Sequence, residues 1–334
     1  MPDETSVIAR RDRRAGRILL NRPAALNALD LPMIRAIAAA LAEWREDPTV
    51  HLVIIEGAGP RAFCAGGDIR ALRQHQLDGQ RAPIDAFFTE EYALNAAIAA
   101  FPKPYVALID GICMGGGIGV SVHAPYRVAT EHARFAMPET AIGFFPDIGA
   151  SFFLPRLPGA LGMYLGLTGA NVAGAEAVHC GLATNFVPRA ALPALAEALA
   201  ADGIGVLGPA AVTPPASSLP RGAIDRCFSA GALPEVLERL TEDGSAWAAE
   251  TVAAMRRVSP SALFWTHRLL TEGAGRGLRA GLDAEFALTR TVMAHPDFVE
   301  GVRAMVVDKD RTPRWSPAEL AAVDLAAIEA WTGA

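Results

Sequence analysis

Two carboxylates and two glycine runs are the residues of this chain best suited to chemistry. Glu139 and Asp147 stand eight residues apart in Phe135–Gly149, an otherwise apolar stretch with no Lys or Arg between Arg134 and Arg156. A carboxylate set among Met, Phe, Ile and Pro is desolvated, which raises its pKa toward the range useful for general acid or base work. The same residues have a plain structural use. Glu139 follows Pro138 as in a first helical turn, and Asp147 is placed to cap a helix beginning near Gly149. Spacing alone does not choose between the two uses.

The glycine runs are Ala65-Gly66-Gly67-Asp68 and Gly115-Gly116-Gly117-Ile118-Gly119. Each follows a β-type run and precedes apolar residues at helical spacing, so each can aim unpaired backbone N–H groups from a helix start into one crevice. Two such groups converging on one point make an oxyanion hole, and residues without a β-carbon let a carbonyl approach the main chain. One run alone is more often a tight turn. The pair on neighbouring strands makes a site.

Other constellations recede. Gly57-Ala58-Gly59 after a strand resembles a dinucleotide fingerprint, but Gly66 and Gly67 fall where the required helix should run, which leaves a strand-ending turn. Ser121 lacks the second flanking glycine of a nucleophile elbow, since His123 holds that place. The seven histidines show no metal spacing, and no two of the four cysteines lie closer than 47 residues, so no metal is expected and the compartment should be reducing. The run Arg10–Arg17 reads as a solvated strand edge that a phosphate-bearing ligand could also use.

A chain of 334 residues, 51% hydrophobic, has room for about two domains. Its net charge of −6 gives no global field for nucleic acid. Ile18-Leu19-Leu20 is too short for a signal peptide, and the uncharged stretch Leu157–Ala175, interrupted by glycines, a proline and an asparagine, reads as loop and helix rather than a membrane span. A cytoplasmic location is expected.

The elements that must position these groups alternate. Strands are predicted at Val7–Ala9 and Arg17–Leu20, then a helix capped by Asp30 with Met33, Ile34, Ile37, Leu41 and Trp44 on one face, ending near Asp47-Pro48. A strand at His51–Glu56, a helix over Pro83–Ala100, a strand at Tyr105–Ile109, a short helix from Ile118 to His123 and strands near Arg127–Ala129 and Arg134–Ala136 follow. Gly, Pro, Ser and Ala dominate Asp202–Pro220, and beyond it helices are predicted at 232–242, 245–257, 259–272, 278–294 and 298–307. The expected organisation is an α/β core over residues 1–202, a linker over 203–220 and a helical domain over 221–334.

Asn21-Arg22-Pro23, Leu26-Asn27-Ala28-Leu29, Phe63–Asp68, Asp110-Gly111 with the glycine triplet, and Pro138-Glu139 resemble the crotonase (enoyl-CoA hydratase/isomerase) superfamily. Within it, Phe87–Tyr92, Met137–Gly143 with Phe145-Pro146-Asp147, Phe153–Leu157, and Glu300–Ala304 with Asp308-Lys309-Asp310 are most similar to the branch that hydrolyses 3-hydroxyisobutyryl-CoA in valine breakdown. The resemblance implies a spiral of ββα turns with a C-terminal all-helical domain that often mediates homo-oligomers. It also implies an acyl-CoA ligand, with coenzyme A as part of the substrate and no separate cofactor. The family's oxyanion donors carry over to the N–H groups of Gly67 and Gly116, its catalytic acid to Glu139, its second acid to Asp147 and an acyl-pocket carboxylate to Glu91, with Ala65 and Asp68 beside the bound thioester. One departure bears on the reaction. Hydratases of the superfamily carry a first glutamate two residues after the triplet, where this chain has Gly119, and tend to have Gly where it has Asp147. Thioester hydrolysis is therefore expected over hydration, with Glu139 either attacking the carbonyl or activating a water that does. Isomerisation of an enoyl-CoA and silent acyl-CoA binding are the alternatives.

Overall fold

The computed structural model describes residues 5–330, so the acidic start Met1–Glu4 lies outside it. The chain divides into two compact units that interleave in sequence. The first comprises Met1–Asp68, Thr89–Phe135 and Val172–Ser218, and the second Ile69–Phe88, Ala136–Asn171 and Leu219–Ala334.

Among the described residues, ten strands form two sheets. They are β1 (Val7–Asp12), β2 (Ala15–Leu20), β3 (Leu52–Gly57), β4 (Ala62–Cys64), β5 (Tyr105–Ile109), β6 (Ile112–Met114), β7 (Tyr126–Ala129), β8 (Arg134–Ala136), β9 (Val172–Ala173) and β10 (Asn185–Phe186). The larger sheet has the order β1-β2-β3-β5-β7-β10 and the smaller β4-β6-β8-β9. The strand pairs β3/β4, β5/β6 and β7/β8 each give their first member to the large sheet and their second to the small one. That is the ββα spiral, a repeat of structure without a repeat of sequence.

Register follows from burial. β3 pairs in parallel with β2 (Ile54 opposite Arg17) and with β5 (Ile54 opposite Val106), and β5 pairs in parallel with β7. Leu52, Ile54, Val106, Leu108 and Val128 face Leu195, Leu199 and Leu207, while Val53, Ile55 and Ala107 are buried on the other face. A parallel strand covered on both sides must be apolar throughout, which is why His51–Glu56 reads as a continuous run rather than an alternation.

The helix Leu31–Glu46 begins where expected, with the Asp30 carboxylate accepting from Met33 N–H at 2.9 Å. In the second unit, Leu278–Ala294 matches its predicted bounds, and Ser245 and Ser259 cap Ala246–Met255 and Pro260–Gly273. Several elements were not expected, the helices Leu192–Asp202 and Arg221–Phe228 among them. Ile69–Leu77 is helical although its composition is polar and Leu72 alone is buried, and the last predicted helix is Pro296–Val302 followed by a π turn at Arg303–Val307. The stretch after Gly57 continues into β4 and not into a helix, as the extra glycines required.

Candidate active site

In the first unit, β4 and β6 are parallel neighbours, with Ala62 opposite Ile112 and Cys64 opposite Cys113. Both glycine runs leave from the carboxyl ends of these strands, the usual place for a ligand in parallel sheets. Leu29 bridges to Gly67 in parallel: Leu29 N–H donates to Gly66 O at 2.8 Å and Asp68 N–H to Leu29 O at 2.8 Å. In that pattern the residue between turns its own N–H to the opposite side, so the Gly67 amide points away from Leu29. Gly116 opens the helix Gly116–Val122, where the first N–H groups have no intrahelical acceptor.

The two runs meet. A β-carbon on Gly116 would stand 3.3 Å from Gly67 N and 2.5 Å from Glu91 Oε1, and one on Gly66, at φ +112°, would stand 3.7 Å from Gly116 N. Glu91, only 2% exposed, therefore sits beside the amide pair. Gly119 lies one turn along the same helix, buried and without a side chain.

Asn27 braces this arrangement. It is buried at φ +57°, its amide donates to Ala58 O (3.0 Å) and Ala62 O (2.9 Å), and its Oδ1 accepts from Arg22 N–H at 2.9 Å. Ala65 is tied to the same loop by its N–H on Leu26 O, 3.0 Å. Asp68 is held by Arg22, 3.2 Å away, which also reaches Asp30 at 3.2 Å. Cys64 is no nucleophile, because burial pushes its thiol up to about 12.

The second unit carries Glu139 and Asp147. Glu139 starts the 3₁₀ turn Glu139–Ile142, is 7% exposed, and its Oε2 has no hydrogen-bond partner. Burial first, and the charge of Asp147 second, hold its carboxyl well above the usual carboxylate range. Asp147 is 6% exposed. The N-cap of the next helix, Ala150–Phe153, is Gly149, which has no side chain to cap with. That role falls to Glu285, fully buried on Leu278–Ala294, which accepts from Gly149 N–H (2.7 Å), Ser151 N–H (2.8 Å) and Ser151 O–H (2.5 Å). Burial raises the Glu285 carboxyl to about 8 against the pull of these donors, and Asp147 adds to the rise. Sequence reading missed Glu285. Its signal was a charge on an apolar stripe, since Gly281, Glu285, Leu288 and Val292 share the buried face of their helix.

Among the described residues no cluster of three His, Cys, Asp or Glu is placed to hold a metal, and no helix is long and apolar enough to cross a membrane.

Comparisons with known proteins bear on both units. A family model described as enoyl-CoA hydratase/isomerase matches residues 15–331. The chain is 47% identical over 332 residues to a protein of Rattus norvegicus named 3-hydroxyisobutyryl-CoA hydrolase, mitochondrial, covering 95% of this chain and 86% of that one. The Homo sapiens protein of the same name is 46% identical over 322 residues, covering 91% and 82%. A crystal structure of a carnitinyl-CoA dehydratase from Mycobacterium thermoresistibile superposes with a TM-score of 0.94 at 38% identity, covering 98% and 96%. The mitochondrial relatives overturn the expected cytoplasmic location. That expectation rested on the lack of a secretory signal, which separates secreted chains from others but does not tell cytoplasm from organelle.

Proposed function

The chain belongs to the enoyl-CoA hydratase/isomerase family, and on that premise we propose that it hydrolyses 3-hydroxyisobutyryl-CoA to 3-hydroxyisobutyrate and coenzyme A. The observation that carries this reading is the approach of Gly67 N to Gly116 beside Glu91, with Gly119 one turn further along the helix. Adding water to an alkene in this family needs a second acid at that place, and a glycine cannot position the water. Polarising a thioester needs only the two amides.

In the proposed reaction the thioester oxygen accepts from Gly67 N–H and Gly116 N–H, which stabilise the negative charge that develops on it. Each such donor is typically worth ~100-fold to 1000-fold in rate. Glu139 opens the carbonyl carbon to substitution, either by bonding to it as a transient anhydride or by taking a proton from the attacking water. Its raised basicity suits both routes. The C–S bond breaks, and the thiolate takes up the proton given up by the water, passed on by Asp147; on the anhydride route that water cleaves the anhydride, which releases the acid and restores the Glu139 carboxylate. Asp147 and Glu91 bind the 3-hydroxyl of the acyl group. A net charge of −6 gives no help with the phosphates of coenzyme A, so local cations and helix N-termini must hold them.

The test is purified protein with 3-hydroxyisobutyryl-CoA and a thiol reagent. Stoichiometric release of free coenzyme A supports hydrolysis; isomerisation or hydration of an enoyl-CoA without thiol release overturns it. Label from heavy-oxygen water appearing in Glu139 after one turnover marks the anhydride route.

A further inference from the structure

Asp147 lies in a turn that the chain does not adopt cheaply. Ile148, a β-branched residue, is held at φ +57°, and Gly149 follows at φ +85°. A left-handed conformation is unfavourable for a residue with a β-carbon, so the surrounding structure must over-determine it. Ala150 N–H donates to Asp147 O at 2.9 Å, which locks the backbone of Asp147 into the same turn.

The clamp on that turn is one side chain. Glu285 Oε2 takes Gly149 N–H while Oε1 takes both Ser151 N–H and Ser151 O–H, at 2.7, 2.8 and 2.5 Å. Its helix comes close enough to do so because position 281, one turn earlier, is glycine: a β-carbon there would stand 2.7 Å from Ser151 Oγ. Buried carboxyls are costly unless well paired, and a structural cap for a four-residue helix can be supplied by a Ser or Asp at far less expense. A fully buried glutamate reached from 134 residues away needs a better reason.

We propose that Glu285 is a positioning residue that fixes Asp147 through the strained Ile148–Ser151 turn and thereby determines selectivity for an acyl chain bearing a 3-hydroxyl. The inference rests on the reading in which Asp147 binds that hydroxyl. The charge of Asp147 bears on Glu139 and Glu285 alike, so the three buried acids form one connected set. Glu285 touches none of the reacting atoms in this scheme. It acts through the turn.

The experiment compares kcat/KM for 3-hydroxyisobutyryl-CoA and for isobutyryl-CoA, which lacks only the hydroxyl, in wild type, Glu285→Gln and Ser151→Ala. A site built to hydrogen-bond a hydroxyl rejects the analogue lacking it by up to ~10⁴-fold or more. In Glu285→Gln the amide keeps one acceptor but sets its NH₂ against a backbone N–H, so the turn loosens. The preference of wild type for the hydroxylated thioester should fall about 10-fold or more in Glu285→Gln and by a smaller factor in Ser151→Ala, which removes one donor. Simple destabilisation lowers both substrates equally and leaves the ratio unchanged, so an unchanged ratio in folded Glu285→Gln overturns the proposal. If that variant does not fold, an unchanged ratio in Ser151→Ala overturns it. A wild type that releases coenzyme A from both thioesters equally removes the assigned role of Asp147, and the proposal with it; a wild type that releases none removes the hydrolase reading itself.

Discussion

The amide nitrogen of Gly67 lies 3.3 Å from the point where a side chain on Gly116 would begin. Two stretches 49 residues apart in sequence are thus brought to one spot by the parallel pairing of β4 with β6. The same point is 2.5 Å from Glu91 Oε1, the far end of a flexible side chain. Gly116→Ala should therefore displace Glu91 and crowd the amide pair without unfolding the chain. The expected result is unchanged circular dichroism with kcat/KM lowered ~100-fold to 1000-fold, the size of losing one donor. A variant with the wild-type rate removes this pair from the mechanism.

Glu139→Gln should abolish thiol release and leave the fold intact. Its effect on stability has a definite sign. The folded-state pKa of Glu139 is raised above its unfolded value of 4.5, so the native state holds the proton more tightly. That contribution is present below about 4.5 and is lost as pH rises through the folded pKa. Melting temperatures of wild type and variant at pH 5 and pH 8 measure this. Wild type should lose stability relative to Glu139→Gln on going to the higher pH, and the reverse ordering contradicts the burial argument.

As base or nucleophile, Glu139 must be ionised to act. Its raised pKa puts the acid limb of kcat/KM well above the ordinary carboxylate range, because burial and the like charge of Asp147 both disfavour the anion. Asp147→Asn removes the charge and should move the midpoint of that limb to lower pH, whatever it does to the maximal rate. A wild-type midpoint at or below 4.5 contradicts the assignment.

Asn27→Ala loses three hydrogen bonds to buried and part-buried backbone and leaves a β-carbon at positive φ. The expected cost is about 2–4 kcal/mol in denaturant unfolding. Asn27→Gly relieves the backbone conformation but not the lost bonds, so it should be less damaging than the alanine. Equal stability of all three proteins would mean that the loop does not depend on this side chain.

Much of the fold was legible because its signals are local. Asp30, Ser245 and Ser259 announce helix starts by their own side chains, and the apolar face of Leu278–Ala294 sets that helix without help from elsewhere. The helix Ile69–Leu77 was not legible, since a run of Arg, Gln and His with one buried leucine lacks the periodicity that marks such elements. Gly67, Gly116 and Glu139 were singled out from residue type and surroundings. Glu285 was not, because what makes it matter is a turn 134 residues away whose N–H groups it takes. The spacing of Asp147 fits a cap as well as an acid, and the N–H groups of Gly149 and Ser151 are taken by Glu285.

Because the proposed polarising pair is made of main chain, only a proline at either position deletes an amide N–H outright. The acids at positions 139 and 147 carry no such protection, nor does the acid-free position of Gly119, and each can change by a single codon. A lineage built on the β4/β6 junction can therefore turn over its chemistry quickly while its grip on thioesters changes slowly, and a protein engineer seeking a new acyl-CoA reaction here should redraw the acids and leave the glycines alone.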